Sequence, residues 1–400
     1  MKNMERIYLD YAAATPVDPE VKTAMDEFYD QNFGNASGLY KEGREAKKSL
    51  GGARANIAKI LGARPGEIIF TSGGTESNNL GIFGIANNFA KGHVITSQFE
   101  HRSVLEPMKE LESRGFKVDY IKVSRDGFVD PGDVKNALQN DTVLVSIMYV
   151  NNEIGTIQPI REISKVIKDF NKSIIFHTDA CQAANYLDLN IDKLGVDLAS
   201  FSGAKIYGPK GVGFLYKKEG IGLRPLILGG GQEMGFRSGT ESLGQIIGMA
   251  RAFEMARERK SEELERLGEI LFYFADGIKK IAGTEINGSL KNRIPSNLSV
   301  SFLGIDSESL IVALDEEGIS VSSGSACDLP RLHEVKADSK LAELPHVILS
   351  LGKGEGAARG VIRFSFGIHT KKEEITRVLE VLPKLIQKLN INVYERSKAA

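Results

Sequence analysis

Between residues 67 and 217 the sequence alternates short apolar runs with longer segments of helical periodicity. The runs cover residues 67–71, 93–97, 118–123, 142–150, 174–177, 197–201 and 213–216, and helical segments such as 75–90, 102–113 and 160–170 separate them. Strands joined through helices need crossover connections, which make them parallel neighbours in a sheet covered on both faces. The sequence therefore predicts an α/β fold with a mostly parallel sheet.

The length of the chain predicts a second unit. Four hundred residues exceed what one hydrophobic core usually supports. Residues 246–281 predict a long helix that leads into an α+β region, with strands at 297–302, 319–322 and 361–366 and helices at 307–317 and 371–389. We expect a large α/β domain over residues 16–255 and a small α+β domain formed by residues 1–15 and 256–400.

The least structured part of the predicted small domain is 328–360, which is rich in glycine. We expect a long mobile loop there, with one short helix near 345–351.

Charge and hydropathy narrow the class of protein. The net charge of −1 argues against a broad nucleic-acid or anionic-membrane surface. The N-terminus lacks an apolar secretory core, and no apolar run reaches the roughly eighteen residues of a membrane span. We expect a cytoplasmic protein with no metal site. Two cysteines, Cys181 and Cys327, cannot form a disulfide framework.

Lys205 is the first candidate for chemistry. It follows an apolar strand and precedes a turn rich in glycine and proline at 208–213, so it leaves the strand end where sites on parallel sheets collect. Lys210 lies in the turn itself and is typical of an exposed charge.

Two other predicted strand ends carry groups that, together with Lys205, suit the parts of one cofactor. Residues 71–77 read Thr-Ser-Gly-Gly-Thr-Glu-Ser, a strand-to-helix turn that fits a phosphate or is a plain helix cap. Asp179 ends another strand and either caps a helix or keeps a cationic ring nitrogen protonated. An amine for an aldehyde, an acid for a pyridinium and a phosphate cup are the parts that pyridoxal phosphate requires.

The remaining candidates also have structural alternatives. His101 either stacks on a ring or caps a helix, and Asn152 binds a ligand or belongs to an ordinary turn. Arg363, in an otherwise apolar strand, suits a bidentate carboxylate. Cys327 lies on a Ser- and Gly-rich loop that favours an accessible nucleophile, whereas Cys181 lies in a tightly packed stretch and is interpreted as structural.

Nine segments in this order resemble the cysteine desulfurases of the NifS/IscS type, which are class V aminotransferase-fold enzymes. They are YLDYAAATPVD (8–18), TSGGTESNN (71–79), EH (100–101), NNEIGTIQPI (151–160), HTDACQ (177–182), SGAKIYGPKG (202–211), FRSGT (236–240), SSGSAC (322–327) and IRFSFG (362–367). The resemblance covers nearly the whole chain. It implies a fold-type-I homodimer that binds pyridoxal 5'-phosphate at the subunit interface.

The resemblance also implies a role for each candidate. Lys205 would bond to the cofactor and move protons, His101 would stack on its ring, and Cys327 would take sulfur from L-cysteine as a persulfide and release L-alanine. The other cofactor-binding positions would be Gly74, Thr75, Asn152, Asp179, Gln182, Ser202 and, from the other subunit, Thr240. Asn152 and Arg363 would hold the substrate carboxylate. The sulfur would pass to a scaffold or acceptor protein for iron–sulfur cluster assembly or tRNA thiolation.

The sequence departs from the family pattern at several points. Ala204 stands where the family usually has His, so one donor to the phosphate is missing, and Ala14 and Tyr40 replace a common Thr and His. The loop after Cys327 is longer than is usual in the family, which widens the reach of the thiol. Two alternatives stay open: a selenocysteine lyase or other class V lyase or aminotransferase, and a non-catalytic homologue that acts as a binding partner.

Overall fold

The structure is a computed structural model that describes residues 6–324 and 344–399, with side chains described as far as Leu389. The chain begins with strand β1 (Ile7–Tyr8) and helices α1 (Pro19–Gln31) and α2 (Lys41–Leu61). The Asp18 side chain accepts a hydrogen bond from the Glu20 N–H, and proline occupies the first turn of α1. Asp18 therefore caps the N-terminus of α1.

Strands and helices then alternate over residues 68–217, as the periodicity predicts. They are β2 (Ile68–Thr71), α3 (Gly74–Ala86), β3 (His93–Ser97), α4 (Arg102–Ser113), β4 (Lys117–Ile121), α5 (Pro131–Ala137), β5 (Thr142–Ser146), α6 (Ile160–Phe170), β6 (Ile175–Asp179), α7 (Ile191–Leu194), β7 (Leu198–Ser202) and β8 (Gly213–Lys217). The short helices α5 and α7 were not among the predicted elements.

These strands form one seven-stranded sheet in the order β2-β8-β7-β6-β5-β3-β4. Neighbouring strands pair in parallel along the series β7, β6, β5, β3 and β4, whereas β8 is antiparallel to both β7 and β2. The mostly parallel sheet is confirmed. The exception has a simple cause: only a loop joins β7 to β8, and a return without a crossover helix makes the two strands antiparallel.

The second half of the chain begins with a long helix and continues with shorter elements. They are α8 (Leu243–Ile278), β9 (Thr284–Asn287), β10 (Asn297–Phe302), α9 (Ser307–Glu316), β11 (Ile319–Ser320), α10 (His346–Ser350), α11 (Glu355–Arg359), β12 (Val361–Ser365) and α12 (Lys372–Ala399). β10 is the centre of an antiparallel three-stranded sheet, β12-β10-β9, while β11 pairs in parallel with β1. The N-terminal strand thus joins the C-terminal half of the fold.

The expected loop over 328–360 is partly wrong. Residues 344–360 contain the predicted short helix, here α10, and a second helix, α11, while the rest of the expectation lies outside the described residues. The glycines serve helix boundaries: Gly354 precedes α11, and Gly352 adopts φ 70° just after α10. Between them, the Lys353 ammonium donates to Asn287 Oδ1 at 2.7 Å and ties the segment to β9.

Helix α8 has two apolar ends and a charged centre. Its buried side chains lie within residues 243–255 and 267–278. In the centre, Arg259 donates to Asp18 Oδ2 at 2.7 Å, and Arg266 donates to the Thr370 carbonyl at 2.6 Å. The helix therefore packs into both halves of the fold. Across the described part of the chain, every helix is too short or too polar to cross a membrane.

Candidate active site

A cavity of about 440 Å³ opens where the parallel strands of the seven-stranded sheet end. Its wall brings together most of the residues singled out in the sequence: Gly74, Thr75, His101, Asn152, Asp179, Gln182, Ser202, Lys205 and Arg363. Thr240 is exposed and is not among the lining residues. Cys327 lies outside the described residues. Because loops after neighbouring parallel strands meet at one edge, residues that are distant in sequence share this cavity.

Lys205 lies in a tight turn, Gly203–Lys205, directly after β7. Its ammonium donates to the carbonyls of Ala12, at 3.0 Å, and Ala13. Two residues later Tyr207 has φ 62°, a conformation that is strained for any residue with a side chain. The Tyr207 N–H donates to Thr15 Oγ1 at 2.8 Å and helps to hold the backbone there. The backbone that carries the Lys205 side chain is therefore held in place.

The N-terminus of α3 forms a cup at one end of the cavity. Its N-cap residue is Gly73, which has φ 152° and no side chain with which to cap the helix. A Cβ at Gly74 would lie 2.6 Å from Cys181 Sγ, so only glycine leaves this approach open. Backbone N–H groups at a helix N-terminus and the hydroxyls of Thr75 and Ser202 suit an anion. The cup fits the phosphate of pyridoxal phosphate.

The cup also contains an acid, Glu76, whose charge is paired. Arg237 Nε donates to Glu76 Oε1 at 2.9 Å, and the Ser72 N–H donates to Oε2 at 2.8 Å. Burial raises the pKa of Glu76, but these hydrogen bonds outweigh burial and lower it. The carboxylate is therefore compensated and does not oppose an anion in the cup.

Asp179 lies at the end of β6 with both oxygens oriented. Oδ1 accepts from the Cys181 N–H at 2.9 Å and Oδ2 accepts from Asn78 Nδ2 at 2.7 Å. Donors on both oxygens fix the orientation of the carboxylate. A carboxylate held in this way at the cavity wall fits the protonated ring nitrogen of the cofactor. Nearby, Gln182 Nε2 donates to the Ala12 carbonyl at 3.0 Å.

His101 is the N-cap of α4, so the helix-capping role that the sequence analysis named as its alternative is one that it has. Its Nδ1 accepts from the Ser103 N–H at 3.1 Å and lies 2.7 Å from Ser103 Oγ. The ring is half-buried and lines the cavity. The cap thereby fixes the imidazole at the wall where the cofactor ring would lie.

Arg363, on β12, is 2% exposed and closes the far side of the cavity. Its two terminal nitrogens donate to Asp10 Oδ1 at 2.8 Å and to the Asn152 carbonyl at 3.1 Å. Its Nε has no hydrogen-bond acceptor among the described residues. The side chain of Asn151 forms a local turn with the N–H of Glu153, and Asn152 is the one that lines the cavity.

Cys181 is on the cavity wall, although the sequence favoured a purely structural residue. The thiol is half-buried beside Gly74 and Asp179. Burial raises its pKa, and the Asp179 charge raises it further. The thiol is therefore held in its protonated form.

Sequence reasoning missed Asp10, Asn78 and Ser103, all of which contact predicted site residues. Ser103 had a weak signal, because a hydroxyl two residues after His101 at a helix start commonly bonds to its neighbour. Asn78 lies one helical turn beyond the glycine turn. Asp10 has no local signal at all.

The fold and the cavity together define an α/β enzyme class that uses a cofactor bound at the ends of parallel strands. The family model for class V aminotransferases matches residues 7–378, and the chain belongs to this family.

Named relatives make the likeness more specific. A protein named cysteine desulfurase IscS from Dictyoglomus turgidum is 47% identical over 386 residues, which cover 96% of this chain and 95% of the relative. Another of that name from Clostridium botulinum is 44% identical over 96% of this chain and 95% of its own length. A solved structure described as a NifS-like protein superposes with a TM-score of 0.88 at 38% identity, over 97% of this chain and 100% of its own.

Proposed function

We propose that this protein is a pyridoxal-phosphate-dependent cysteine desulfurase, which converts L-cysteine to L-alanine and leaves the sulfur as a persulfide on Cys327. The observation that carries the proposal is the meeting of Lys205, Asp179 and Arg363 in one cavity. An amine, a carboxylate and a guanidinium in one wall suit an aldehyde cofactor and an amino-acid substrate. The named relatives, at 44–47% identity, support the same reaction.

The bound cofactor would supply an electron sink for cleavage at the substrate. Lys205 would hold the cofactor and would move a proton at the substrate α-carbon. Asp179 would pair with the ring nitrogen, and the cup at the start of α3 would hold the phosphate. His101 and Gln182 would orient the ring. In these roles the protein contributes binding, orientation and proton transfer.

The substrate carboxylate would bind at Arg363. The guanidinium is buried and keeps Nε without an acceptor among the described residues, so a carboxylate there gains a charge-assisted hydrogen bond. Asn152 supplies a neighbouring amide. The substrate thereby has a fixed position on the side of the cavity opposite the sheet.

Cys327 would attack the substrate sulfur as a thiolate, so that a sulfur–sulfur bond forms as the carbon–sulfur bond breaks, and the cofactor would supply the sink for the released electron pair. The persulfide then suits transfer to a sulfur acceptor, such as a scaffold protein for iron–sulfur assembly or tRNA thiolation. We also propose that residues 16–255 form the cofactor domain, and that residues 1–15 and 256–400 form the domain that carries Cys327.

A second copy of this chain is the partner that the surface favours. Large apolar side chains are exposed at Phe33 (88%), Leu39 (91%) and Leu228 (80%). Apolar surface of this kind is typical of an interface between subunits. In a homodimer the exposed Thr240 would reach the phosphate cup of the other subunit.

The test is turnover of L-cysteine by purified protein with pyridoxal phosphate and a thiol reductant. We expect equal amounts of alanine and sulfide, and we expect Cys327→Ala to lose sulfide release. A folded wild-type protein that binds the cofactor but forms no alanine would contradict the proposal. Sulfide release that survives Cys327→Ala would favour a cysteine-independent lyase.

A further inference from the structure

Three hydrogen bonds connect the Asp179 carboxylate to the His101 ring. Asn78 Nδ2 lies 2.7 Å from Asp179 Oδ2 and 2.8 Å from Ser103 Oγ, and Ser103 Oγ lies 2.7 Å from His101 Nδ1. Asn78 is fully buried and Ser103 is 7% exposed. Because β6, α3 and α4 each supply part of this chain of bonds, the two site residues at its ends are joined across three elements.

The direction of these bonds follows from the acid at one end. An ionised carboxylate only accepts hydrogen bonds, so the Asn78 amide must turn its nitrogen toward Asp179. The second hydrogen of that nitrogen then goes to Ser103 Oγ, and the hydroxyl hydrogen goes to His101 Nδ1. The Ser103 N–H points to the same Nδ1 at 3.1 Å. Two donors on Nδ1 leave the imidazole proton on Nε2.

The orientation of the Asn78 amide leaves its oxygen without a partner in the described part of the chain, and this unfavourable feature supports the assigned bond directions. Its Oδ1 is buried and has no hydrogen-bond partner among the described residues. A buried acceptor without a partner is unfavourable. Placing both amide hydrogens on Asp179 and Ser103 therefore outweighs satisfying the oxygen, as expected when the carboxylate sets the orientation.

We infer that Asn78 and Ser103 are positioning residues for the desulfurase reaction, through which Asp179 holds His101 as the neutral Nε2–H tautomer. The inference rests on the proposed function for the roles of His101 and Asp179. The group that pairs with the ring nitrogen and the group that stacks on the ring then act as one unit. His101 offers a hydrogen-bond donor, not a lone pair, at Nε2.

The tautomer is measured directly by nitrogen-15 NMR of histidine-labelled protein without cofactor, at a pH where free imidazole is neutral. His101→Gln identifies the His101 signals. In the wild type we expect a pyridine-type Nδ1 and a protonated Nε2. Ser103→Ala is expected to shift the tautomer ratio toward Nδ1–H by about fivefold, the factor for one neutral hydrogen bond. Ser103→Thr, which keeps the hydroxyl, retains the wild-type ratio.

Asn78→Ala tests the connection itself, because Asn78 does not hydrogen-bond to His101. We expect a smaller shift of the tautomer ratio in the same direction. The matched control is Ser164→Ala, which removes a buried hydroxyl that donates to the Gly195 carbonyl at 2.6 Å outside the cavity. This variant should leave the His101 signals in place.

A wild-type His101 that carries its proton on Nδ1 overturns the inference, even if the variants fail to fold. Unchanged His101 signals in folded Ser103→Ala, or in folded Asn78→Ala, also overturn it. The measurement is independent of turnover. A protein with the expected tautomer shifts but no desulfurase activity would overturn the proposed function alone.

Discussion

The two sides of the cavity are built in different ways. On the sheet side, the groups come from residues 74–205 and each follows a strand or starts a helix. On the opposite side, Arg363 meets Asp10 across 353 positions of sequence. The sheet side is therefore positioned by local turns and strand order, whereas the opposite side depends on the pairing of distant strands. Most residues of the first kind are recognisable from sequence, whereas the pairing of Arg363 with Asp10 emerges only from the fold.

The two sides of the cavity also differ in the partners that they provide for an acidic side chain. Glu100, next to His101, is fully buried, and one of its oxygens has no hydrogen-bond partner among the described residues. Burial raises its pKa to about 8, so it is neutral in the folded protein near pH 7. Asp10 instead pairs with the buried Arg363. Glu100, on the sheet side, is therefore held by neutral hydrogen bonds, whereas Asp10, on the opposite side, belongs to an ion pair.

The largest effect is expected on the sheet side, from Lys205→Ala. Loss of a covalent catalytic residue typically lowers kcat by about 10⁴-fold or more. Alanine formation from L-cysteine measures it. Lys210→Ala is the matched control, because Lys210 is exposed in the same loop, and it should keep wild-type turnover. Comparable losses in both variants would show that the loop matters more than the amine.

Glu100→Gln is expected to change how stability depends on pH. The pKa of Glu100 is raised from 4.5 to about 8, so the folded state holds a proton that the unfolded state releases within this window. This contribution to stability is complete below pH 4.5 and is lost as the pH rises to 8. Glutamine mimics the protonated acid throughout. The wild type should therefore lose on the order of 4 kcal/mol relative to Glu100→Gln between these limits.

Denaturant unfolding of both proteins at pH 5, 6.5 and 8 provides the measurement. Other titrating groups, including the buried His177, contribute equally to the two proteins and cancel in the difference. Parallel curves for the two proteins would mean that Glu100 is ionised in the folded state, and the contrast with Asp10 would disappear.

Asp10→Asn is the corresponding change on the opposite side. It leaves the Arg363 charge buried without its partner, and we expect a loss of about 2 kcal/mol because the Asp10 side chain is 17% exposed. L-Alanine, the proposed product, should then raise the Tm of Asp10→Asn more than that of the wild type, since its carboxylate replaces the missing charge. Equal shifts in Tm would argue against carboxylate binding at Arg363.

Ala204→His tests the departure from the family pattern. Ala204 lines the cavity, and its carbonyl accepts from the Thr15 N–H at 3.0 Å. If the histidine ring reaches the phosphate, a charge-assisted hydrogen bond should tighten cofactor binding by about tenfold or more. Titration of the apoprotein with pyridoxal phosphate measures this. Unchanged affinity would show that the helix cup already satisfies the phosphate.

Much of the fold follows from local pattern. The periodicity predicted β3, α4 and α6 at their observed limits and most other strands to within a few residues. It could not predict that β8 runs antiparallel, because that depends on how a ten-residue turn closes. It also placed a loop where α11 forms, since glycines at helix boundaries and glycines in a flexible segment look alike in sequence.

The candidate site was predictable where chemistry and strand ends coincide, as at Lys205 and Asp179. Asn78 was not, because its importance comes from reaching both Asp179 and Ser103 across three elements. Asp10 was not, because its partner lies at the other end of the chain. These residues are ordinary in type, and only their neighbours distinguish them.

Helix α8 connects the two halves of the fold through one continuous backbone. At 36 residues it is about 54 Å long, and its buried ends lie in the two halves of the fold while its centre is held by charged contacts. A bend of about one degree at the centre moves either end by about 0.5 Å. A change in the bend of this helix would therefore shift the two halves of the fold relative to each other by fractions of an ångström.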